Sequence, residues 1–137
     1  MNQDLYKMIF KRKSFHLFRD SKTKEEYSKL YKIDDNELQN IKETFYSLKP
    51  LNKDIKVKIE IITNEYTNCN RGQEFCILFY SEKKENYLQN IGYLGEQLDL
   101  YLVSKNIGSL WFGIAKSNEV HGTGLVNRSL QIIVTAI

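Results

Sequence analysis

The sequence predicts an α+β fold, a mixed or antiparallel sheet packed with helices. Three observations predict it. Ile55, Val57, Ile59 and Ile61 alternate with Lys56, Lys58 and Glu60, the two-residue period of a half-buried strand. Residues 74 to 80 are a nearly continuous apolar run, which suits a central strand buried on both faces. Two other stretches, residues 34 to 48 and 84 to 105, repeat apolar side chains at helical spacing. Strands and helices alternate only loosely, which favours a mixed α+β sandwich over a doubly wound sheet. A chain of 137 residues holds one core, so residues 1 to 137 are expected to form a single domain.

The elements follow in chain order. Residues 3 to 11 read as a short helix with Leu5, Met8 and Ile9 on one face. Residues 12 to 20 read as extended or irregular. From 34 to 48 an amphipathic helix places Leu38, Ile41, Phe45 and Leu48 on one stripe. Asp34 and Glu37 have capping-box spacing at its start, and Pro50 lies just past its end. After the two strands, a long helix over 84 to 105 carries Tyr87, Ile91, Leu94, Leu98 and Leu102 as its main stripe. Gly92 and Gly95 each weaken that helix by about 1 kcal/mol relative to Ala, so close approach of another backbone is expected there. Asn106 and Gly108 read as its end, and residues 109 to 114 and 129 to 137 as two further strands.

Composition limits the function. The formal net charge is +3, with acids and bases mixed over most of the chain. That balance argues against a nucleic-acid partner, which usually requires a clustered basic face. The exception is the first 24 residues, where Lys7, Lys11, Arg12, Lys13, Arg19, Lys22 and Lys24 face only Asp4 and Asp20. A local anion site is expected there. No apolar run approaches membrane-spanning length and no apolar leader opens the chain. Cys69 and Cys76 match no zinc or redox spacing, so two free thiols in a reducing cytoplasm are expected, with no metal site and no membrane partner.

Two segments can carry chemistry. Arg12-Lys13-Ser14-Phe15-His16 follows directly on a helix and combines fixed charge with a hydroxyl, the donors a phosphate requires; the same residues suit a solvated basic turn. Asn106-Ile107-Gly108-Ser109-Leu110-Trp111-Phe112-Gly113 brackets an aromatic strand with glycines, which lets a flat ligand lie against the main chain. It also suits a helix end followed by a core strand. His121-Gly122-Thr123-Gly124 reads as a surface hairpin loop, since a phosphate loop needs a following helix. No HExxH, CxxC or GxSxG pattern occurs, and no catalytic side chain is assigned.

Taken in order, the two segments resemble the nitroreductase family. Its members open with a helix and an Arg-Arg-Ser-x-Arg-like motif, matched by residues 12 to 16. A long helix then runs into a Gly-rich strand, matched by Tyr93-Leu94-Gly95-Glu96-Gln97-Leu98-Asp99-Leu100 and by residues 107 to 113. Leu48-Lys49-Pro50-Leu51-Asn52 is similar to the branch known as putative TM nitroreductases. The resemblance implies a nitroreductase-like fold and an FMN cofactor. By it, Arg12, Lys13 and Ser14 match the residues that hold the FMN phosphate and ribityl chain. His16, standing where the family usually carries Arg or Lys, matches the residue at the flavin N1–O2 edge. Main chain around Trp111, Phe112 and Gly113 matches the segment that meets the isoalloxazine ring. The resemblance further implies a homodimer that takes hydride from NAD(P)H and passes electrons to a nitroaromatic, quinone or similar small acceptor by a ping-pong mechanism. A non-catalytic flavin-binding or structural remnant is the alternative. Ile137 falls where the family continues to another basic phosphate ligand, so the chain is expected to correspond to roughly the first half to two-thirds of a member.

Overall fold

In a computed structural model of the chain, residues 3–14, 22–24, 32–66, 71–111 and 131–136 are described. They form helices α1 (Gln3–Met8), α2 (Asp35–Ser47) and α3 (Tyr87–Ser104), and strands β1 (Val57–Thr63), β2 (Phe75–Ser81), β3 (Ile107–Trp111) and β4 (Gln131–Ala136). The strands make one sheet in the order β1-β2-β4-β3, with every pairing antiparallel. The expected α+β class and antiparallel sheet are therefore present.

The register shows how the side-chain period builds the core. Ile59 pairs with Phe79, Ile61 with Ile77 and Thr63 with Phe75. One face of β1 and β2 thus presents Val57, Ile59, Ile61, Phe75, Ile77 and Phe79. Against it pack Ile41 and Phe45 of α2 and Ile91, Leu94, Leu98 and Leu102 of α3. These four belong to the stripe expected for α3 and are buried almost completely, while Tyr87, its first expected member, is only half-buried. On the other face Cys76, Leu78 and Tyr80 of β2 are also buried, so the continuous apolar run does mark a strand covered on both sides.

The strict alternation expected for β1 fails at two places. Ile55 precedes the strand and is buried in the loop, and Ile62 is buried on the face assigned to polar residues. Lys58 and Glu60 keep that face partly polar by pairing with each other at 2.9 Å.

Helix ends follow local chemistry. At α2 the Glu37 amide donates to Asp34 Oδ1 at 2.8 Å, and the Asp34 amide donates to Glu37 Oε2 at 3.4 Å, which completes the capping box. The first helix is shorter than expected: α1 ends at Met8, and a turn whose Arg12 amide donates to the Met8 carbonyl carries the chain away. The long helix starts at Tyr87 rather than 84. It ends at Ser104, and just past the Lys105 cap comes Asn106, whose φ of 56° is left-handed and whose amide donates to the Val103 carbonyl. Gly108 does not end the helix; it lies inside β3, which begins two residues earlier than expected. Two buried amides of α3 fix the segment after α2: Gln97 donates to the Lys49 carbonyl at 3.1 Å, and Asn90 Oδ1 accepts from the Asn52 amide at 3.0 Å.

Candidate functional site

Two periodicities meet where α3 crosses β3. In a strand, alternate residues share a face, so Ser109 and Trp111 point the same way. In a helix, residues four apart share a face, which puts Gly95 and Asp99 together. These faces are opposed. The six-membered ring of Trp111 lies over the bare main chain of Gly95, where an added β-carbon would come 2.9 Å from Cζ2. The same indole stacks on Phe79 with ring centres 6.0 Å apart and planes 5° apart. Its Nε1 donates to Asp99 Oδ2 at 3.2 Å, and the Ser109 hydroxyl donates to Asp99 Oδ1.

A carboxylate buried in an apolar layer needs paired charge as well as hydrogen bonds. Arg12 supplies the charge. Its Nε donates to Asp99 Oδ2 at 2.6 Å; the Asp99 side chain is 0% exposed and that of Arg12 17%. The Arg12 Nη1 donates to Ser14 Oγ, also at 2.6 Å. Nη2 has no partner among the described residues. Ser14 and Ser109 form a parallel bridge, so residues 12 to 14 lie along the edge of β3 left open by β4.

The expected site residues divide as follows. Arg12 and Ser14 are brought together at the edge of β3, and Lys13 between them is exposed. Trp111 belongs to the same cluster, with its indole turned inward, so main chain rather than ring is presented at the strand edge. His16, Phe112 and Gly113 lie outside the described residues, as does the loop at residues 121 to 124. The close contact expected at the glycines is corrected in kind. Gly95 meets a side chain of its own chain rather than another backbone, and nothing lies within 4 Å of a β-carbon added at Gly92.

Sequence reasoning missed Asp99 and Ser109. A signal existed, because Asp99 interrupts the apolar run Leu98, Leu100 and Leu102. An acid in such a place needs a cation from elsewhere, and the basic N-terminal segment is the richest source.

Glu96, one residue after Gly95, adds negative charge nearby. Its carboxyl is held above the ordinary value of 4.5, first by partial burial and then by Asp99, with Arg12 acting in the opposite sense. Among the described residues no group of His, Cys, Asp and Glu could hold a metal ion, and no helix is long and apolar enough to cross a membrane. Clefts of about 410, 190 and 150 Å³ are lined chiefly from α2, β1 and α3, and none includes Arg12, Ser14, Asp99 or Trp111.

The chain matches the family described as Putative TM nitroreductase over residues 4–136. No curated protein matches it. Among solved structures, it is similar to a nitroreductase family protein from Clostridium novyi NT, with a TM-score of 0.68 and 15% identity over 99% of this chain and 85% of that one. It is similar to a protein from Desulfovibrio desulfuricans described as a putative nitroreductase and solved in complex with FMN, with a TM-score of 0.65 and 14% identity over 98% and 86%. A protein from Thermotoga maritima described in the same words is matched with a TM-score of 0.55 and 19% identity over 99% of this chain and 48% of that one. The chain therefore spans most of two neighbours and about half of the third.

Proposed function

The chain belongs to the TM nitroreductase family, and from that premise we propose that it is an FMN-dependent oxidoreductase whose cofactor phosphate is held by Arg12, Lys13 and Ser14. The arrangement that carries this reading is Arg12 pinned through Nε at the open edge of β3, with Ser14 on its Nη1. An arginine held by Nε keeps the outer edge of its guanidinium for a second partner, and a planar N–H fork suits phosphate oxygens. Lys13 adds an exposed ammonium, and the Ser14 hydroxyl, while accepting from Arg12, still has its own proton to donate. The donor set fits a phosphate.

The open edge of β3 supports the rest of the placement. Beyond the bridge between Ser14 and Ser109, no strand among the described residues pairs with that edge, which would leave main-chain donors and acceptors for a flat ring, while the partly buried indole of Trp111 keeps the strand in place. His16 would supply a titratable cation in the segment after Ser14, in the role that the family resemblance gives it. Bound FMN would supply hydride acceptance and electron transfer to a small acceptor such as a nitroaromatic or quinone. NAD(P)H is the proposed reductant and ping-pong the proposed order. The protein's share is binding, orientation and electrostatics.

We further propose that residues 1 to 137 act as a single domain and pair as a homodimer. The open face of α3 at Gly92, with Leu88 exposed one turn before it, supports a partner surface.

The visible spectrum of the purified protein, reconstituted with FMN and desalted, tests the reading. The expected result is a flavin band near one per chain, bleached anaerobically by NADH or NADPH. A protein that retains no flavin contradicts the reading. Retained flavin that neither nucleotide reduces points instead to a non-catalytic flavin binder.

A further inference from the structure

Asp99 collects donors from two separate parts of the chain. Arg12 Nε and Trp111 Nε1 share its Oδ2, and the Ser109 hydroxyl takes Oδ1. One carboxylate therefore ties the N-terminal arm to β3, beside the bridge between Ser14 and Ser109. We propose that Asp99 is a positioning residue that makes Arg12 a phosphate ligand, and so sets the preference of the site for a phosphorylated flavin. This rests on the reading of Arg12 given above.

Two effects of Asp99 oppose each other. Its negative charge repels an incoming phosphate. Its hydrogen bond also keeps Arg12 ordered against β3, with the Nη edge left for a ligand. An arginine released to solvent has to be reordered at each binding event, a penalty of up to about thirtyfold in affinity. The repulsion is blunted because the carboxylate is already paired with the guanidinium and accepts two further donors. Being bonded to Nε, it also leaves the Nη edge to the ligand. Positioning therefore outweighs repulsion.

FMN and riboflavin share ring and ribityl chain and differ in the phosphate, so their affinity ratio isolates the effect. Asp99→Asn keeps the size of the side chain and removes its charge. The expected result is a fall of about tenfold in the preference for FMN over riboflavin, with riboflavin affinity nearly unchanged. Arg12→Ala lowers the preference at least as far, leaving the part that Lys13 and Ser14 supply, and adding Asp99→Asn to it lowers the preference no further. Trp111 is the sole tryptophan, so the emission of the apo-protein should shift in Asp99→Asn as the indole loses its charged acceptor. If Asp99→Asn does not fold, Ser109→Ala removes one donor that orients the carboxylate and should lower the preference in the same direction. Equal losses for both flavins would make Asp99 merely structural. A rise in FMN preference would make it a competitor for Arg12. Either outcome overturns the proposal and leaves Arg12 as a phosphate ligand. A wild type that binds both flavins equally overturns the reading of Arg12 itself, and the proposal with it.

Discussion

The indole of Trp111 fills the space that a side chain at Gly95 would need: a β-carbon there would meet the ring at Cζ2 at 2.9 Å and at Cη2 closer still. Gly95 is thus a packing requirement of the site, and the usual stabilisation from replacing a helical glycine should reverse. Ala gains about 1 kcal/mol in helix propensity. Overpacking a ring that is also stacked on Phe79 and bonded to Asp99 costs about 1–3 kcal/mol. Gly95→Ala is expected to destabilise the protein by about 1 kcal/mol net, within those ranges. Urea unfolding measures it, and a stabilised variant would mean that the indole moves aside freely.

Gly92, less than one turn earlier, carries the opposite expectation. With nothing within 4 Å of an added β-carbon, Gly92→Ala should stabilise an isolated chain by up to about 1 kcal/mol. If a second copy covers this face, the same change should instead weaken association. Sedimentation at tens of micromolar separates the cases. A wild-type dimer loosened by Gly92→Ala supports the proposed homodimer, and a monomer stabilised by the substitution removes this face from consideration.

Glu96 makes stability depend on pH. Its folded-state pKa is raised above 4.5 by partial burial and by Asp99, against the influence of Arg12. Folding therefore disfavours the ionised form, so this contribution is fully favourable below 4.5 and is lost as pH rises through the raised value. Glu96→Gln should be more stable than wild type at neutral pH, and the difference should close as pH falls below 4.5. Denaturant midpoints across that interval test the sign. A variant less stable than wild type at pH 7 would show that the Glu96 carboxylate is needed in its charged form.

Much of the fold was legible because it rests on single-element patterns. The apolar run read at 74–80, which forms β2 at 75–81, the part Ile91, Leu94, Leu98 and Leu102 of the α3 stripe, and the Asp34–Glu37 box each act within their own element. Ile62 was not legible, since its burial depends on what covers the far face of the sheet. The site was half legible. A cluster such as Arg12, Lys13 and Ser14 suggests an anion site by composition, and Trp111 is picked out by the glycines that bracket its aromatic strand. Asp99 was quoted only as part of a helix, because its role needs a partner 87 residues away. Gly95 was seen as a site of close approach but assigned to the wrong partner, since spacing along one helix does not reveal which strand side chain will cross it.

The central claim is that Arg12 holds the phosphate of bound FMN, and titrating apo-protein with FMN while following Trp111 emission tests it most directly. Arg12→Ala should weaken binding by about 1.5–3 kcal/mol, the range of a hydrogen bond to a charged group, equivalent to roughly ten- to more than a hundredfold in Kd. The variant also leaves Asp99 buried without its cation, so its near-ultraviolet circular dichroism should first be matched to that of wild type. A folded Arg12→Ala protein that binds FMN as tightly as wild type would contradict the account.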